Sequence, residues 1–457
     1  PDAPALVDGA NALSYAELAA DARLLACWLV AAGARPRTVV GCLMEHRSEA
    51  VVAQLAAGLS GAAFFGMETH FGPKMLAELL EQSRPVALLA SAATRARAEG
   101  ALPTTTALLD VDAGWREAAA AAAAAVAPPE AWARAAPYDG GIITMTSGTS
   151  GKPKAIVCPH AAYAHAAAAR QARHPYAAGG GYGGEREGVN VMFAWEALRP
   201  LCYGQTAVVI PDDVVIDTPR LVEFIADRRL TRLLTTPSLL STLLETAAAD
   251  ADAGAAPPLA ARLPELALWL LCGEVVPTAL ARAAAAALPH AALVNDYSSW
   301  EGSDVAYATL HDPAAPDPPP HAALPAERFA PVGTPAAGAA FVLLEPAEEG
   351  EDDLGGRRVV PHGAAGELFV RSPMMFTGYM RAPALTAQRL LPVPPQLRAP
   401  LGLDDGAPAL VAARAHAAAA RRQAAEETEE AEAAAAEEAA PLMYRTGDLA
   451  RLLPSGD

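Results

Sequence analysis

The sequence predicts an α/β protein with two doubly wound, mainly parallel sheets packed with helices, plus a small β-barrel-like subdomain. Three observations lead to this prediction. Strand-like and helix-like segments alternate before residue 90, and they alternate again after residue 200. From about Val332 they give way to short alternating strands that Gly and Pro separate. Alternating strands and helices are typical of parallel sheets, whereas short strands between turn residues are typical of antiparallel sheets.

The first series opens with a capped helix. Ser14-x-x-Glu17 is a capping box ahead of an apolar run that ends at Gly33, and a glycine commonly follows the last turn of a helix. The next segments are predicted, in order, as strand Val39 to Leu43, helix Glu49 to Leu59, strand Ala62 to Phe65, helix Met75 to Glu81 and strand Val86 to Leu89.

The second series follows the same pattern and predicts the second sheet. Its segments are strand Ala207 to Ile210, a helix that opens at Thr218-Pro219, strand Leu233 to Thr235, a helix after Pro237, strand Leu268 to Leu271, a helix after Pro277 and strand Ala292 to Val294. Proline is well suited to the first turn of a helix, which supports these three helix starts.

The predicted subdomains follow from these patterns. Residues 1-330 are assigned to two α/β subdomains, and 331-457 to a β-rich subdomain with strands Phe341 to Leu344 and Glu367 to Val370. Residues 392-441 contain an Ala/Glu/Arg-rich tract and are interpreted as a low-complexity surface insertion, helical if ordered.

Composition excludes several kinds of protein. A net charge of −18 argues against binding to nucleic acid or to an anionic membrane surface, because both require clustered positive charge. No apolar stretch of about 18 residues suggests a membrane span. The five cysteines stand singly and are odd in number, which favours reduced thiols and a cytoplasmic location.

One loop after an apolar strand has the composition of a phosphate-binding loop. It contains four hydroxyls, two glycines and two lysines, in the order Thr146-Ser147-Gly148-Thr149-Ser150-Gly151-Lys152-Pro153-Lys154. Glycines allow close backbone approach, hydroxyls and amides donate to phosphate oxygens, and lysines neutralise charge. The spacing does not match a Walker loop or a nucleophile elbow.

Three further polar segments follow neighbouring strands of the second series. They are Thr235-Thr236-Pro237-Ser238, Cys272-Gly273-Glu274 and Asn295-Asp296-Tyr297-Ser298-Ser299-Trp300-Glu301. Ligands of open α/β sheets bind outside the carboxyl ends of the strands, so one shared site is predicted at that edge.

Together these segments resemble the signatures of the adenylate-forming (AMP-binding) superfamily. Equivalents in that superfamily are its phosphate loop, a T-P-S segment, a G-G-E turn and a Y-G-x-T-E segment, and Tyr444-Arg445-Thr446-Gly447-Asp448-Leu449 matches its Y-x-T-G-D-L. The resemblance runs from near Pro1 to Asp457. It identifies 1-457 as the large N-terminal, ATP-binding portion of an adenylation domain from a multidomain enzyme similar to peptide synthetases or carboxylate reductases.

The resemblance implies roles for individual residues, with ATP and Mg²⁺ as cofactors. The loop from Thr146 to Lys154 would hold the β- and γ-phosphates, Gly273 and Glu274 with Asp296 would line the adenine and substrate pocket, and Tyr297 would stack near adenine. Glu301 would bind Mg²⁺ and Asp448 the ribose hydroxyls. The residues expected to act in catalysis are Thr146, Lys154 and Glu301.

The implied reaction is attack of a substrate carboxylate on the α-phosphorus of ATP, which releases pyrophosphate and leaves an acyl-adenylate. Such catalysis depends on positioning and charge neutralisation rather than on a protein nucleophile. The acyl group then passes to the phosphopantetheine of a carrier protein, or to CoA. Because the sequence starts without Met and stops within a motif, we expect a fragment whose mobile C-terminal lid is absent.

The sequence departs from the family pattern at two positions of the Y-G-x-T-E segment. Ser298 replaces the usual glycine, and Trp300 replaces a threonine whose hydroxyl normally meets the α-phosphate. Loss of such a donor costs about 2.7–4 kcal/mol of transition-state stabilisation if it equals an oxyanion-hole contact.

The substrate pocket also departs from that of amino-acid-selecting domains. Those domains carry F-D-x-S-x-W-E, whose aspartate pairs with the substrate ammonium, and alignment on Trp195-Glu196 places Val191 at that aspartate. A buried ammonium would be unpaired there, which disfavours an ordinary α-amino acid. Two classes remain: a carboxylic acid without an α-amine, or a betaine, for which Trp300, Trp195 and Phe193 would offer cation–π surfaces and Asp304 a distant counter-charge.

Two alternative functions stay open. A free-standing acyl-CoA ligase would share these motifs, and so would a noncatalytic remnant that binds the nucleotide without chemistry. Pyrophosphate exchange distinguishes the remnant from both enzymes.

Overall fold

The computed structural model describes residues 1–127, 129–146, 154–177, 184–314, 328–346, 354, 356–403, 416–420 and 440–453. In these residues the α/β class is confirmed, with two large, mainly parallel sheets and one small antiparallel sheet. None of the helices described there combines the length and the apolar character that crossing a bilayer requires.

The strands, in chain order, are β1 (Pro4–Asp8), β2 (Asn11–Ser14), β3 (Val39–Leu43), β4 (Ala63–Met67), β5 (Ala87–Ala90), β6 (Ala107–Asp110), β7 (Gly140–Thr146), β8 (Lys154–Pro159), β9 (Arg186–Val189), β10 (Thr206–Val209), β11 (Arg232–Thr235), β12 (Leu268–Leu271), β13 (Ala292–Ser299), β14 (Ser303–His311), β15 (Thr334–Pro335), β16 (Ala340–Leu344), β17 (Ala365–Arg371), β18 (Gly378–Tyr379), β19 (Leu390–Pro392) and β20 (Leu442–Arg451). The helices are α1 (Tyr15–Ala31), α2 (Ser48–Ser60), α3 (Pro73–Ser83), α4 (Arg95–Glu99), α5 (Trp115–Ala123), α6 (His160–Arg173), α7 (Phe193–Glu196), α8 (Arg199–Cys202), α9 (Asp212–Val215), α10 (Thr218–Asp227), α11 (Pro237–Asp252), α12 (Leu259–Arg262), α13 (Thr278–Ala287) and α14 (Pro383–Arg389).

The first sheet has the strand order β18-β8-β7-β4-β3-β5-β6. Strands β7, β4, β3, β5 and β6 are parallel, and β8 and β18 complete the sheet in antiparallel pairing. The predicted capping box at the start of α1 is present, with Ser14 and Glu17 each bonded to the other's backbone amide. Helix α2 is buried on most of its surface, which its nearly continuous apolar sequence explains.

The second sheet has the order β15-β14-β13-β12-β11-β9-β10-β1-β2. Its central strands, from β1 to β13, are parallel, whereas β2, β14 and β15 pair antiparallel at the edges. One apolar cluster joins the two sheets, because it contains Val40 of β3, Ala53 of α2 and Val209 of β10. The two sheets therefore pack as one body through the helices between them.

The third sheet is the small antiparallel one, with the order β16-β17-β20-β19. It contains both strands predicted in 331-457. Two other short strands from that range join the large sheets, because β15 pairs with β14 and β18 pairs with β8. The predicted subdomain limits remain a prediction, but the sheets themselves draw on separated parts of the chain.

Two sequence expectations differ from the structure in detail. The strand predicted as Ala292 to Val294 continues to Ser299, because pairing with β14 carries it through the polar segment. The range 392-441 is not all surface insertion, since its described parts include Leu397, Leu401 and Ala417, which are 3%, 0% and 0% exposed. Apolar side chains at these positions fill the core under the small sheet and beside α6.

Candidate active site

A cavity of about 330 Å³ lies at the carboxyl ends of the parallel strands β11, β12 and β13. This is the edge at which open α/β sheets bind ligands, as the sequence predicted. Its described lining comprises Met145, Arg170, Met192, Trp195, Glu196, Leu234, Cys272, Gly273, Asp296, Ser298, Ser299, Trp300, Glu301, Ser303 and Asp304. Gly273 turns the chain out of β12 with a φ of +83°, a conformation that favours glycine.

The structure joins two predicted nucleotide residues from distant segments. The Tyr297 hydroxyl on β13 donates a hydrogen bond to Oδ2 of Asp448 on β20. The amide of Asp448 donates to Oγ1 of Thr446 at 3.0 Å, and that hydroxyl donates to the Leu368 carbonyl at 2.9 Å. Burial and the Asp448 carboxylate raise the pKa of Tyr297, so its phenol stays neutral and keeps donating. Asp448 itself is exposed at this junction.

Glu301 borders the cavity and is held by a second tyrosine. Tyr379 of β18 donates to Oε1 of Glu301 at 2.7 Å, and the Glu301 carbonyl accepts from the Phe376 amide at 2.8 Å. Lys154 at the start of β8 lies over the same tyrosine, with Nζ 5.9 Å from the ring centroid. Burial and Glu301 raise the pKa of Tyr379. Two predicted catalytic residues, Lys154 and Glu301, therefore meet around one ring.

The structure describes only the two ends of the predicted phosphate loop. Thr146 ends β7 and Lys154 begins β8, and the two residues are paired across the strands. Ser147, Gly148, Thr149, Ser150, Gly151, Lys152 and Pro153 lie outside the described residues. Their predicted contact with phosphate remains a prediction.

A buried ionic cluster forms the floor of the cavity. Arg170 of α6 contacts Glu196 at 2.5 Å and Asp296 at 2.7 Å, and lies 3.5 Å from Asp304. Arg199 of α8 contacts Glu196 at 3.0 Å and Asp304 at 2.9 Å. All five side chains are at most 8% exposed. Two guanidinium groups thus face three carboxylates in a low-dielectric setting.

The three carboxylates of the cluster are not equally satisfied. Both oxygens of Glu196 and both of Asp304 accept hydrogen bonds, and Tyr307 adds one to Asp304 at 2.6 Å. Asp296 accepts only through Oδ2, and its buried Oδ1 has no hydrogen-bond partner among the described residues. Burial and Asp304 raise the pKa of Asp296, whereas Arg199 and Arg170 lower that of Asp304.

Sequence reasoning missed the arginines of this cluster. Arg170 lies on α6 one turn after Ala166 and two after Ala162, and all three are buried. The spacing of four residues places the arginine on the apolar face of the helix, and a buried arginine requires carboxylates. That spacing was the available signal. Asp296, predicted to line the nucleotide pocket, is 2% exposed in this cluster and lines the cavity floor.

The predicted substrate residues divide between two cavities. Trp195 and Trp300 line the first cavity with their rings nearly perpendicular at a centroid distance of 6.3 Å. Phe193 lines a neighbouring cavity of about 410 Å³, which Trp300 and Met192 also border, and stacks on His46. Val191 packs against the core and is not in the described lining of either cavity. Its neighbour Met192, with a φ of +56°, occupies the wall instead.

Glu274 lies beside the site but is engaged elsewhere. Its carboxylate accepts hydrogen bonds from the amide and the hydroxyl of Ser238, which follows β11. The contact joins two of the three predicted polar segments, and Glu274 does not border the described cavity. Its contact with adenine stays a prediction.

Comparison with known proteins identifies the family. The family model described as AMP-binding enzyme matches residues 1–380. Glycine betaine reductase ATRR of Emericella nidulans is 32% identical over 473 residues, which cover 100% of this chain and 30% of the reductase. Phosphinothricin tripeptide synthetase PhsC of Streptomyces viridochromogenes is 28% identical over 396 residues, which cover 86% of this chain and 32% of the synthetase. The chain thus spans about a third of the length of these relatives.

Solved structures show the same fold. The nonribosomal peptide synthetase FmoA3 superposes with a TM-score of 0.73 at 23% identity, over 100% of this chain and 40% of FmoA3. VinN superposes with a TM-score of 0.70 at 20% identity, over 100% of this chain and 94% of VinN. The sequence-based identification of the superfamily and of its fold is confirmed.

Proposed function

The chain belongs to the AMP-binding enzyme family, and from that premise we propose that it activates a carboxylic acid with ATP. The product is an acyl-adenylate, with release of pyrophosphate. The observation that supports this most is the meeting of Tyr297 with Asp448 and of Lys154 with Glu301 around Tyr379. Tyr297 and Asp448 join strands β13 and β20, Lys154 and Tyr379 join β8 and β18, and Glu301 borders the cavity at the ligand-binding edge of the sheet.

Each of these residues has a chemical task in the proposed reaction. Asp448 accepts hydrogen bonds from the ribose hydroxyls, and Tyr297 holds its carboxylate in place while presenting a ring near adenine. Lys154, Thr146 and the loop up to Pro153 neutralise and orient the phosphates. The cavity holds the acid so that its carboxylate reaches the α-phosphorus, because most of the catalysis is positioning.

Mg²⁺ is the metal that fits these residues. Among the described residues no group of three or more His, Cys, Asp or Glu side chains is placed to hold a metal ion. Mg²⁺ typically keeps several waters and binds one or two carboxylates together with substrate phosphates. Glu301 would supply that carboxylate, and the metal would neutralise phosphate charge as pyrophosphate leaves.

The acceptor and the substrate class are proposed from the relatives and from the cavity. Large synthetases and a reductase among the relatives support transfer of the acyl group to a carrier-protein phosphopantetheine rather than to free CoA. Val191 carries no carboxylate at the position that pairs with the substrate ammonium in amino-acid-selecting domains, which disfavours an ordinary α-amino acid. The name of the reductase, together with Trp195 and Trp300, favours a betaine over an uncharged acid. A cytoplasmic location remains part of the proposal.

Substrate-dependent ATP–pyrophosphate exchange on the full-length protein tests this function. The panel contains α-amino acids, aryl and aliphatic acids, and betaines, each with and without Mg²⁺. We expect exchange with one class of acid, and only with the metal. ATP binding without exchange for any acid would contradict the proposal and support the noncatalytic alternative. Acyl transfer to CoA faster than to a carrier domain would support the free-standing ligase.

A further inference from the structure

We propose that Asp296 is the counter-charge that selects a permanently cationic acid in the cavity. The inference rests on the proposed function and names the residue and the substrate class. Asp304, the counter-charge expected from the sequence, is not available for this role, because Arg199 and Tyr307 occupy both of its oxygens. Asp296 instead lines the cavity, and its buried Oδ1 has no hydrogen-bond partner among the described residues.

The charge balance of the floor requires a cation. Two arginines serve three carboxylates, so one negative charge has no partner when all three carboxylates are ionised. Arg170 is the one cation in the described lining of the cavity. Nearby His174 adds no charge at neutral pH, because burial and the surrounding arginines lower its pKa to about 4. A bound cation would complete the cluster, since an unpaired buried charge is costly.

The walls indicate what kind of cation fits. The cavity that Asp296 lines is also bordered by apolar, aromatic or sulfur-containing side chains, which are those of Met192, Trp195, Leu234, Cys272 and Trp300. A primary ammonium has three N–H donors and needs several acceptors, whereas a quaternary ammonium has none. Faces of tryptophan attract such a cation within about 6 Å of the ring centroid. Asp296 and the two tryptophans together therefore favour trimethylammonium over a primary amine.

The Ser303 hydroxyl is a second polar group in the wall of the cavity. The Ser303 hydroxyl is also buried and without a partner among the described residues, and Ser303 borders the same cavity. A neutral hydroxyl does not provide charge selection, but it can donate to the substrate carboxylate or to a polar substituent. Ser303→Ala is therefore a matched control that changes the same wall without changing its charge.

The test compares two acids of equal shape on the full-length protein. Trimethylammonioacetate and 3,3-dimethylbutanoate differ only in whether a quaternary nitrogen or a carbon carries the three methyl groups. The ratio of their kcat/KM values in ATP–pyrophosphate exchange measures selection for charge. We expect wild type to favour the cation, and Asp296→Asn to lower the ratio by about thirtyfold or more, the lower end for breaking a buried charge pair. Ser303→Ala should leave the ratio unchanged.

The possible outcomes separate this inference from the proposed function. Exchange with 3,3-dimethylbutanoate at a rate equal to that of trimethylammonioacetate would overturn the inference and leave adenylation standing. An unchanged ratio in Asp296→Asn would also overturn it, as would a preference for glycine over trimethylammonioacetate. If Asp296→Asn does not fold, Trp300→Leu gives the second reading, because loss of the aromatic face must also lower the ratio. Absence of exchange with any acid would overturn both proposals.

Discussion

Asp448 is the exposed carboxylate that the ribose hydroxyls are expected to meet, and Tyr297 holds it. Asp448→Asn should raise the KM for ATP about tenfold or more, because hydrogen bonds to charged groups contribute about 1.5–3 kcal/mol. Tyr297→Phe should raise the KM for ATP less, since it removes only the hydrogen bond that holds the Asp448 carboxylate. Steady-state exchange kinetics at saturating acid give both values. Asp213→Asn, at an exposed position of α9, is the control, and an unchanged KM in Asp448→Asn would contradict the assignment.

Trp300 stands at the position for which the resemblance to the family implies a threonine, and it borders both cavities. Trp300→Ala should lower the preference for trimethylammonioacetate over its uncharged isostere by about twofold to thirtyfold, the range of a cation–π contact. The ratio is measured on one enzyme preparation, so partial unfolding cancels. Trp132→Ala, at a tryptophan that is not in the described lining of either cavity, should leave the ratio unchanged. A constant ratio in Trp300→Ala would show that the ring is core packing.

Asp296 also predicts a pH dependence of stability. Its folded-state pKa is raised by burial and by Asp304, so the folded state holds the proton more tightly than the unfolded chain. This contribution is complete below the pKa of an ordinary aspartate and is lost as pH rises through the raised value. The charged or titratable groups around it are Arg170, Glu196, Arg199, Cys272, Asp304 and Tyr307.

Urea unfolding at a series of pH values measures this contribution. Without ligand, wild type should lose stability relative to Asp296→Asn as pH rises from the ordinary aspartate range through the raised pKa. Saturating trimethylammonioacetate should reduce that loss, because the cation stabilises the charged carboxylate. Parallel stability curves for the two proteins would show that Asp296 does not titrate in this range.

At the scale of single residues, the sequence predicted residues that lie in motifs but not the side chains that contact them. Glu301 and Asp448 were predicted as site residues because their neighbours form signatures in order along the chain. Tyr379 and Arg170, which hold Glu301 and Asp296, belong to no signature and come from distant segments. A pairwise contact over such a separation has no local pattern, so single-sequence reasoning does not reach it.

Helix α6 is the element that carries the ionic cluster. Arg170 on its buried face serves carboxylates of α7, β13 and β14, so the helix is tied to the sheet by charge as well as by its alanines. Arg170→Met should destabilise the protein by about 3–5 kcal/mol, because it leaves buried carboxylates unpaired. Arg173→Met, at an exposed position of the same helix, should change stability by less than about 0.5 kcal/mol.

Urea denaturation of the two α6 variants gives the comparison. Equal stabilities of Arg170→Met and wild type would mean that the carboxylates take up protons or find other partners without cost. The result would then remove the argument for a charged cavity floor. A large loss of stability in Arg173→Met but not in Arg170→Met would instead mean that the exposed face of α6 contributes more to stability than its buried face.

Elements were predictable where local pattern and tertiary environment agree. Strands β3 and β12 have the predicted limits, since apolar runs between turn residues determine buried parallel strands. Strand β13 runs further than predicted because its outer half is polar and becomes a strand only by pairing with β14. The Tyr444 to Leu449 motif likewise lies in β20, which pairs with β17 from far along the chain.

At the scale of the whole molecule, each of the two large sheets contains strands from widely separated parts of the chain. Met374, Met375 and Phe376, which lie in 331-457, are at most 2% exposed in a core that also contains Ile156 and Leu270 of the two large sheets. Residues 1-330 expressed alone should therefore unfold without a single cooperative transition and expose apolar surface. Circular dichroism during urea titration measures this, and a cooperative transition equal to that of the whole chain would contradict it.

The central claim is formation of an acyl-adenylate, and oxygen transfer tests it most directly. An acid that supports exchange is prepared with ¹⁸O in its carboxylate and incubated with ATP, Mg²⁺ and the full-length protein carrying its thiol acceptor. Attack on the α-phosphorus predicts that the released AMP gains one ¹⁸O atom, measured by mass spectrometry. Formation of ADP with the label in inorganic phosphate, or of AMP without the label, would contradict the account.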